Sequence, residues 1–473
     1  MTPGRTRDKT SGAREEPVSP GDAVATLRKL IEDHLTSGVD RRVGSEGIAR
    51  VEAPVAPVEP VEWLRSQADP VKVYWKDREG GNEIAALGVA HALTGPSGLS
   101  EALELLRGPD EPGHANLRVF GGMAFSEGPL DEPPWSFFGS HWFVLPRVEL
   151  VRNGDACLLA CNARINAASE ASERQSVART LDGLCFAGTG QPREGPAVRS
   201  RRDRPDRAGW TAMVNGVLES IRLGTLEKAV LARRSDFLFE APPDPMRLLQ
   251  RLMTQTTRSY DFCFQPRAGT AFIGASPERL YHRTGGTLQS ESIAGTRPRG
   301  ASREADQALG RDLLASDKDR REHQLVVDAI RQSFAAVCEP VGDVGEPSLL
   351  HLRQCQHLHC TISGTLKPAV DDVAILGALH PTPAVGGCPT DEALRRVEAL
   401  EPFDRGWYAG PVGWVGPDAA EFAVAIRTGL VHNTTVSLYS GAGIVDGSSP
   451  EEEWDEIETK MANFLHVLGE RHD

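Results

Sequence analysis

The chain has 473 residues, 40% hydrophobic and 25% charged, so it can bury a sizeable core as a globular protein of one large domain or two. Its net charge of −14 gives no support to nucleic acid or an anionic membrane as a partner, and an anionic substrate would need a local cluster of Lys, Arg and backbone N–H groups or a divalent cation. No apolar run approaches the roughly 20 residues of a membrane span, no signal-peptide core opens the chain, and the eight cysteines lack zinc-type pairing, so a cytoplasmic protein with reduced, buried thiols is expected.

Residues 1–22 lack an apolar period and read as a disordered tail. A helix is predicted over about 23–35. VEAPVAPVEPVEWL alternates Val with Pro and Glu, as an extended edge strand or linker does. VKVYW, the turn DREGGN and EIAALGVAHAL read as a hairpin. A helix around 98–106 precedes the strand-rich LRVFGGMAF and SHWFVLPRVELVRNGDACLLACNARI, the latter with an Asn-Gly turn. Residues 23–204 therefore read as a sheet-rich half without a catalytic cluster, and 187–206 as a polar, Pro- and Arg-rich connector.

The part from 205 to 473 differs in character. After a helix over about 207–223, LEKAVLARRSDFLF alternates as a strand with Lys228 between Leu226 and Val230 on one face. Lys228 is there either as an edge-strand gatekeeper or as a desolvated amine able to act as a base. A helix over about 245–256 leads to DFCFQP, TAFIGASPERLYHRTGG and TLQSESIAGTRPRG. Glu278 follows Ser-Pro at a bend, the place of a functional carboxylate or of a simple turn. Gly295, Thr296 and Gly300 around Arg297 and Arg299 form a glycine-rich, basic loop whose N–H groups could cradle an anion.

The next predicted helix, over 317–337, places Glu322 in one stripe with Leu325, Val326, Ala329 and Ser333, and Asp319 near its edge. A carboxylate on a packing face costs several kcal/mol unless it is protonated, paired or bound to a cation. In the strand AVAIRTGL, Arg427 wants an anionic partner, either a ligand or a structural acid. The last helix is announced by Ser449, Pro450 and Glu452, a cap signature, and runs over about 450–468. Ile457, Met461, Phe464 and Leu468 share its apolar face. Glu451, Asp455, Glu458 and Thr459 fall opposite, in solvent, while Glu453, Glu456 and Lys460 flank the apolar face. Asp319, Glu322, Glu453 and Glu456 give four carboxylates on two helices, an oxygen-only set suited to Mg²⁺ rather than zinc.

GASPERL, SIAGTRPRG, DKDRREH, HPTPAVGG, FDRGWYAGPVGW, FAVAIRT and GAGIVDGSSPEEEW, in this order, resemble the chorismate-utilising enzymes, which include isochorismate, salicylate, anthranilate and aminodeoxychorismate synthases. The resemblance is strong over about 205–470 and weak before it. It implies an α+β fold of two large antiparallel β-sheets packed face to face with helices outside and the active site between them. It also implies Mg²⁺ held by Glu322 and Glu453, with Asp319 and Glu456 orienting its waters. Arg427, Lys460, Gly441 and the backbone of Gly295 and Thr296 would grip the two carboxylates of chorismate. Members that add water are similar to this chain at Lys228, which would deprotonate water for attack at ring C2 while Glu278 protonates the leaving C4 hydroxyl, each with its pKa moved toward neutrality. Ala384 in HPTPAVGG resembles the isochorismate-forming members, whereas salicylate-forming lyases tend to carry Thr there. Salicylate formation is the nearest rival; the ammonia-using members and an inert ligand-binding relative are the others. Isochorismate feeds menaquinone, catechol siderophores or salicylate, and nothing in the chain demands a partner subunit, so a monomer is expected.

Overall fold

The computed structural model describes residues 16–37, 47–107, 114–128, 130–165, 169–186, 195–342, 345–353 and 355–469, the side chain of Glu322 excepted. The N-terminal part comprises α1 (Pro20–Ser37), β1 (Gly47–Val55), α2 (Pro60–Ser66), β2 (Lys72–Lys76), β3 (Asn82–Thr94) and α3 (Gly98–Leu106). It continues with β4 (Val119–Met123), β5 (His141–Asn153), β6 (Ala156–Ile165), α4 (Glu170–Asp182) and β7 (Val198–Arg204). Then come α5 (Arg207–Arg222), β8 (Lys228–Phe239), α6 (Pro245–Gln255), β9 (Tyr260–Arg267), β10 (Thr270–Ser276), β11 (Arg279–Thr284) and β12 (Thr287–Pro298). They lead to α7 (Arg303–Ala315), α8 (Asp317–Val337), β13 (Cys338–Val341), β14 (Ser348–His351), β15 (Cys355–Leu366) and α9 (Asp372–Leu379). The chain finishes with β16 (Gly387–Cys388), α10 (Thr390–Leu400), β17 (Pro411–Val415), β18 (Ala419–Val424), β19 (Thr428–His432), β20 (Thr435–Ile444) and α11 (Pro450–Leu468).

These strands pair antiparallel and join in one hydrogen-bonded network of two arms. The first arm runs β1-β6-β5-β3-β2-β9-β10-β19-β20-β8-β7. Opposite β3, the other edge of β5 divides: residues 148–153 pair with β6 and residues 141–144 with β4. From β4 the second arm runs β17-β18-β11-β12-β15, with β13 and β14 on the far edge of β15. The two expected sheets are therefore two arms continuous through β5, and they face each other.

Alternation along the strands builds the layers. In β9, Tyr260, Phe262 and Phe264 point into the core between the arms while Cys263 joins the core beneath the outer helices. Phe264 meets Trp407 of the loop before β17 at 5.9 Å between ring centroids, and Phe143 of β5 meets Phe422 of β18 at 6.4 Å. On the outer face of the first arm lie α1, α2, α4, α5, α6, α10 and α11, and α8 covers β12 and β15.

Several elements depart from the sequence reading. The stretch taken as edge strand or linker ends in α2, because Pro60 stands at a first helical position and Trp63 and Leu64 find a core. In the connector, residues 187–194 lie outside those described, while 198–204 form β7 and add a strand to β8. Helices α7 and α9 carry no prediction above. On α8 the buried stripe is His323, Val326, Val327, Ile330, Phe334 and Val337, with Leu325 38% exposed, so the packing face is turned away from the stripe assigned to Glu322.

One edge of β8 is completed by side chains. At its start β8 pairs with β16, Val230 N–H donates to Gly386 O at 3.0 Å, and at its far end it pairs with β7. Between them Arg405 Nη2 donates to Val230 O at 2.6 Å, and Ala232 N–H donates to Glu401 Oε1 at 2.7 Å. Arg405 and Glu401 grip each other through two hydrogen bonds of 2.6 and 2.8 Å and are almost fully buried. Arg405→Met strands the Glu401 charge in the core and should cost about 3–5 kcal/mol of unfolding free energy in urea titration. A loss within about 1 kcal/mol, the range of exposed pairs, would contradict this role.

Candidate active site

Glu278 lies where the chain passes from one arm to the other, between β10 and β11. Arg427 lies at the reverse passage, between β18 and β19. The strand read through AVAIRTGL is thus broken at Arg427, whose φ of 55° is left-handed, a backbone state that a non-glycine residue holds only at a cost. The two passages run side by side: Val424 N–H donates to Glu278 O at 3.1 Å and Ala275 N–H to Arg427 O at 3.2 Å. A sheet edge cannot continue through these crossings, and a cavity of about 310 Å³ opens beside them.

That cavity gathers every described residue that the sequence analysis placed in a site. Lys228, Glu278, Gly295, Thr296, Asp319, Ala384, Arg427, Gly441, Glu453, Glu456 and Lys460 all line it. Lys228 opens β8, is 3% exposed and pairs in register with Cys388 of β16, which removes the edge-gatekeeper reading. Glu322 sits on α8, but its side chain lies outside the described residues.

Helix α11 supplies three of these groups from one face. Its cap forms as the sequence announced, with Ser449 Oγ accepting from Glu452 N–H. Trp454, Ile457, Met461 and Phe464 then lock it onto the core. Glu453 is buried, and its Oε1 accepts from Ser448 Oγ at 2.7 Å. Burial raises its pKa, and the Glu456 carboxylate raises it further. Glu456 is held below the usual carboxylate range by the Lys460 ammonium at 2.5 Å. Lys460 Nζ also donates to Gly441 O at 3.0 Å, and the Lys460 carbonyl accepts from Arg427 Nη1 at 2.8 Å. Glu458 contradicts its solvated reading: it accepts from Arg201 and from the fully buried Arg233, which hold its pKa down against burial.

The basic loop is also different from its reading. Gly295 and Thr296 lie within β12 at a bulge, where Gly295 has φ of 67° and an added Cβ would stand 3.1 Å from Asp319 Cβ. Arg297 binds Asp319 at 2.9 Å and Asp312 at 2.8 Å, and Arg299 binds Asp306 at 2.6 Å, so both guanidiniums already face carboxylates. Arg297, held by Asp312 and Asp319, lines the cavity all the same, together with Lys228, Lys318, Arg427 and Lys460.

Sequence reasoning missed His357 and Tyr408. His357 Nδ1 lies 3.1 Å from both Gly295 O and Thr296 Oγ1, and burial, reinforced by Arg427, lowers its pKa to about 4, so the ring is neutral. Tyr408 stacks on Tyr439 and stands where a Cβ on Gly441 would come within 2.9 Å of its hydroxyl. CQHLHC carried no reading in the sequence, and FDRGWYAG only a motif.

A family model described as "Chorismate binding enzyme" matches residues 33–469. The chain belongs to that family. It is 38% identical over 360 residues to "Isochorismate synthase 2, chloroplastic" of Arabidopsis thaliana, across 74% of this chain and 64% of the relative. It thus spans just under two thirds of that relative's length. With "Isochorismate synthase MenF" of Escherichia coli strain K12 it shares 35% identity over 86% of this chain and 90% of the relative. The solved structure of that menaquinone-specific enzyme superposes with a TM-score of 0.81 at 31% identity, covering 94% and 99% of the two chains.

Among the carboxyls lining the cavity of this chorismate-binding enzyme, Glu278 has its pKa pushed furthest up. Burial pushes its pKa up to about 7, Glu291 adds to the rise, and Lys228 and Lys460 oppose it. In the folded protein it therefore holds a proton between about 4.5 and 7 that the unfolded chain releases, and stability is lost as pH rises across that window. Glu278→Gln should be more stable than the parent above pH 7, by about 3 kcal/mol at most, with the difference vanishing below pH 4.5. Denaturation of both proteins at pH 4.5 and pH 8 checks this, and an equal difference at both pH values would refute it.

Proposed function

We propose that this protein is an isochorismate synthase, converting chorismate to isochorismate by adding water at ring C2 and expelling the C4 hydroxyl. The observation that carries the reading is one cavity in which a buried amine and a carboxyl of raised pKa stand within electrostatic reach of each other amid further cations.

Lys228 acts as the base that takes a proton from water as the oxygen bonds to C2. Glu278, protonated below pH 7, delivers its proton to the C4 hydroxyl. The ring double bonds shift between, so one water enters, one leaves, and no redox partner is needed. Arg427, Lys460 and the N–H groups of Gly295 and Thr296 hold the two substrate carboxylates, Gly441 keeps the wall thin where Tyr408 stands, and His357 braces the Gly295 bulge. Ala384 leaves room beside the ring.

The acids suit a hard divalent cation. Glu453, with Asp319 and Glu456, presents oxygen donors only; the pKa of Glu453 is raised by burial and then by the nearby Glu456 carboxylate, a repulsion a divalent cation would relieve. Among the described residues no three His, Cys, Asp or Glu groups are placed to hold a metal by themselves; Glu322 is the partner that the family resemblance implies for Glu453. Bound Mg²⁺ would neutralise the ring carboxylate of chorismate.

The eight cysteines are free thiols, and no helix among the described residues is long and apolar enough to cross a membrane; both support a cytoplasmic setting. The pathway named for the Escherichia coli relative makes menaquinone the destination to test first. The acidic net charge supports small-molecule rather than nucleic-acid partners, and the cavity is complete within one chain, which supports a monomer.

Purified protein given chorismate and Mg²⁺ should yield isochorismate, without salicylate and pyruvate, and without anthranilate when ammonia is added. Lys228→Ala and Glu278→Gln should each lower kcat at least about 100-fold, the scale of a lost general acid or base. In the parent, kcat/KM should fall as pH rises through about 7, as Glu278 loses its proton. Chelation should stop turnover and added Mg²⁺ restore it. Either variant at parental kcat, or pyruvate released in step with chorismate consumed, would overturn the reading.

A further inference from the structure

Behind Glu278 lies a buried charge cluster that the chemistry above does not use. Arg78 belongs to the turn between β2 and β3, 199 residues from Pro277 in sequence. Its Nη1 donates to the Pro277 carbonyl at 3.0 Å and to Glu291 Oε2 at 2.7 Å, while Nη2 donates to Glu291 Oε1 at 2.6 Å. Arg279 donates to Glu291 at 3.0 Å and to the Tyr260 hydroxyl at 2.7 Å, and His359 stands 3.2 Å from Glu291. Burial works against ionisation of Glu291, yet His359 and Arg78 hold its pKa down to about 2, so the cluster keeps its charges. Arg78, Glu278 and Glu291 are each less than a tenth exposed.

The point of attachment matters more than the charges. The Pro277 carbonyl belongs to the peptide that carries Glu278 N, and that nitrogen approaches Ser276 Oγ at 3.2 Å while Glu278 O accepts from Val424 N–H. The Pro277 carbonyl, the Glu278 N–H and the Glu278 carbonyl are thus each held, the first by a side chain 199 residues earlier in the sequence. A bidentate Arg–carboxylate pair is rigid, so the carbonyl it holds cannot swing.

We propose that Arg78, clamped by Glu291, is a positioning residue that sets the aim of the Glu278 carboxyl into the cavity. This rests on the reading of Glu278 as the acid. A small misplacement of a reacting group costs turnover far more than it costs ground-state binding of substrate, whose carboxylates are gripped elsewhere.

The test is steady-state kinetics on Arg78→Met, Arg78→Lys and the paired Arg78→Gln/Glu291→Gln, which removes both charges together and so avoids leaving one stranded. In Arg78→Met, kcat should fall about 10- to 100-fold while KM for chorismate stays within about two-fold. Arg78→Lys, which can still bridge carbonyl and carboxylate, should recover most of the loss. The paired variant should match Arg78→Met and remains readable should that single variant not fold. Parental kcat in the folded Arg78→Met or paired variant, a rise in KM that accounts for the loss, or no recovery with Lys would each overturn the proposal. Glu278→Gln in the same assay separates the two ideas: if it keeps turnover, the acid is misassigned whatever Arg78 does.

Discussion

The buried Arg405–Glu401 pair is the contact on which the site's geometry turns. An open stretch of strand edge between β16 and β7 would leave the Val230 carbonyl and the Ala232 amide without partners in a dry interior, each at a cost of about 1–3 kcal/mol. A third chain segment there would cover the face from which Lys228 reaches the cavity. A guanidinium and a carboxylate instead supply one donor and one acceptor, compensate each other's charge, and leave no strand in the way. Arg405 also donates to Val385 O at 3.0 Å, so the same side chain fixes the segment carrying Ala384. One ion pair thereby fixes both the β8 segment that follows Lys228 and the segment carrying Ala384.

The cavity itself works against stability. Burial raises the carboxyls of Glu278 and Glu453, lowers the Arg427 guanidinium and keeps His357 neutral. Arg427 adds a left-handed backbone to its buried charge. None of these features is explained by folding, since an apolar residue at each position would remove the desolvation penalty. Under the proposed function they suit a doubly anionic ligand with a cation beside it, which would meet Arg427 and Lys460 on one side and the acids on the other. A site that is costly when empty and complementary when filled is what binding of such a ligand requires.

Local pattern made much of this legible. The Ser449-Pro450 cap and the apolar spacing of α11 are short-range signals that the structure follows closely, whereas around Lys228 it keeps Val230 on the cavity side but places Leu226 before β8, in the core beneath the outer helices. Charges at a distance were not legible. Glu458 faces away from its helix's apolar stripe and so reads as solvated, yet β7 and β8 bring Arg201 and Arg233 to it. The Gly295 loop reads as a free anion cradle because its arginines' partners lie on α7 and α8, up to 22 residues further on. The packing face of α8 was placed a residue off because Leu325 outranks His323 in hydrophobicity, although it is the His that is buried.

The N-terminal half, which shows no catalytic residue in its sequence, holds the two arms together. Among the described strands from β7 onward, none of one arm pairs with any of the other: β9 reaches the second arm only through β2, β3, β5 and β4. Lys228 belongs to the first arm and Glu278 to the crossing into the second, just past the end of β10 at Ser276. Arg78, in the turn of the hairpin that begins this bridge, touches the peptide before Glu278 directly. In the proposed mechanism Arg78 acts on the reaction through distance and angle. Such a role is invisible to motif reading because it carries no chemistry of its own, and visible in the structure because the hydrogen bond from Arg78 ends on the carbonyl of the residue before Glu278.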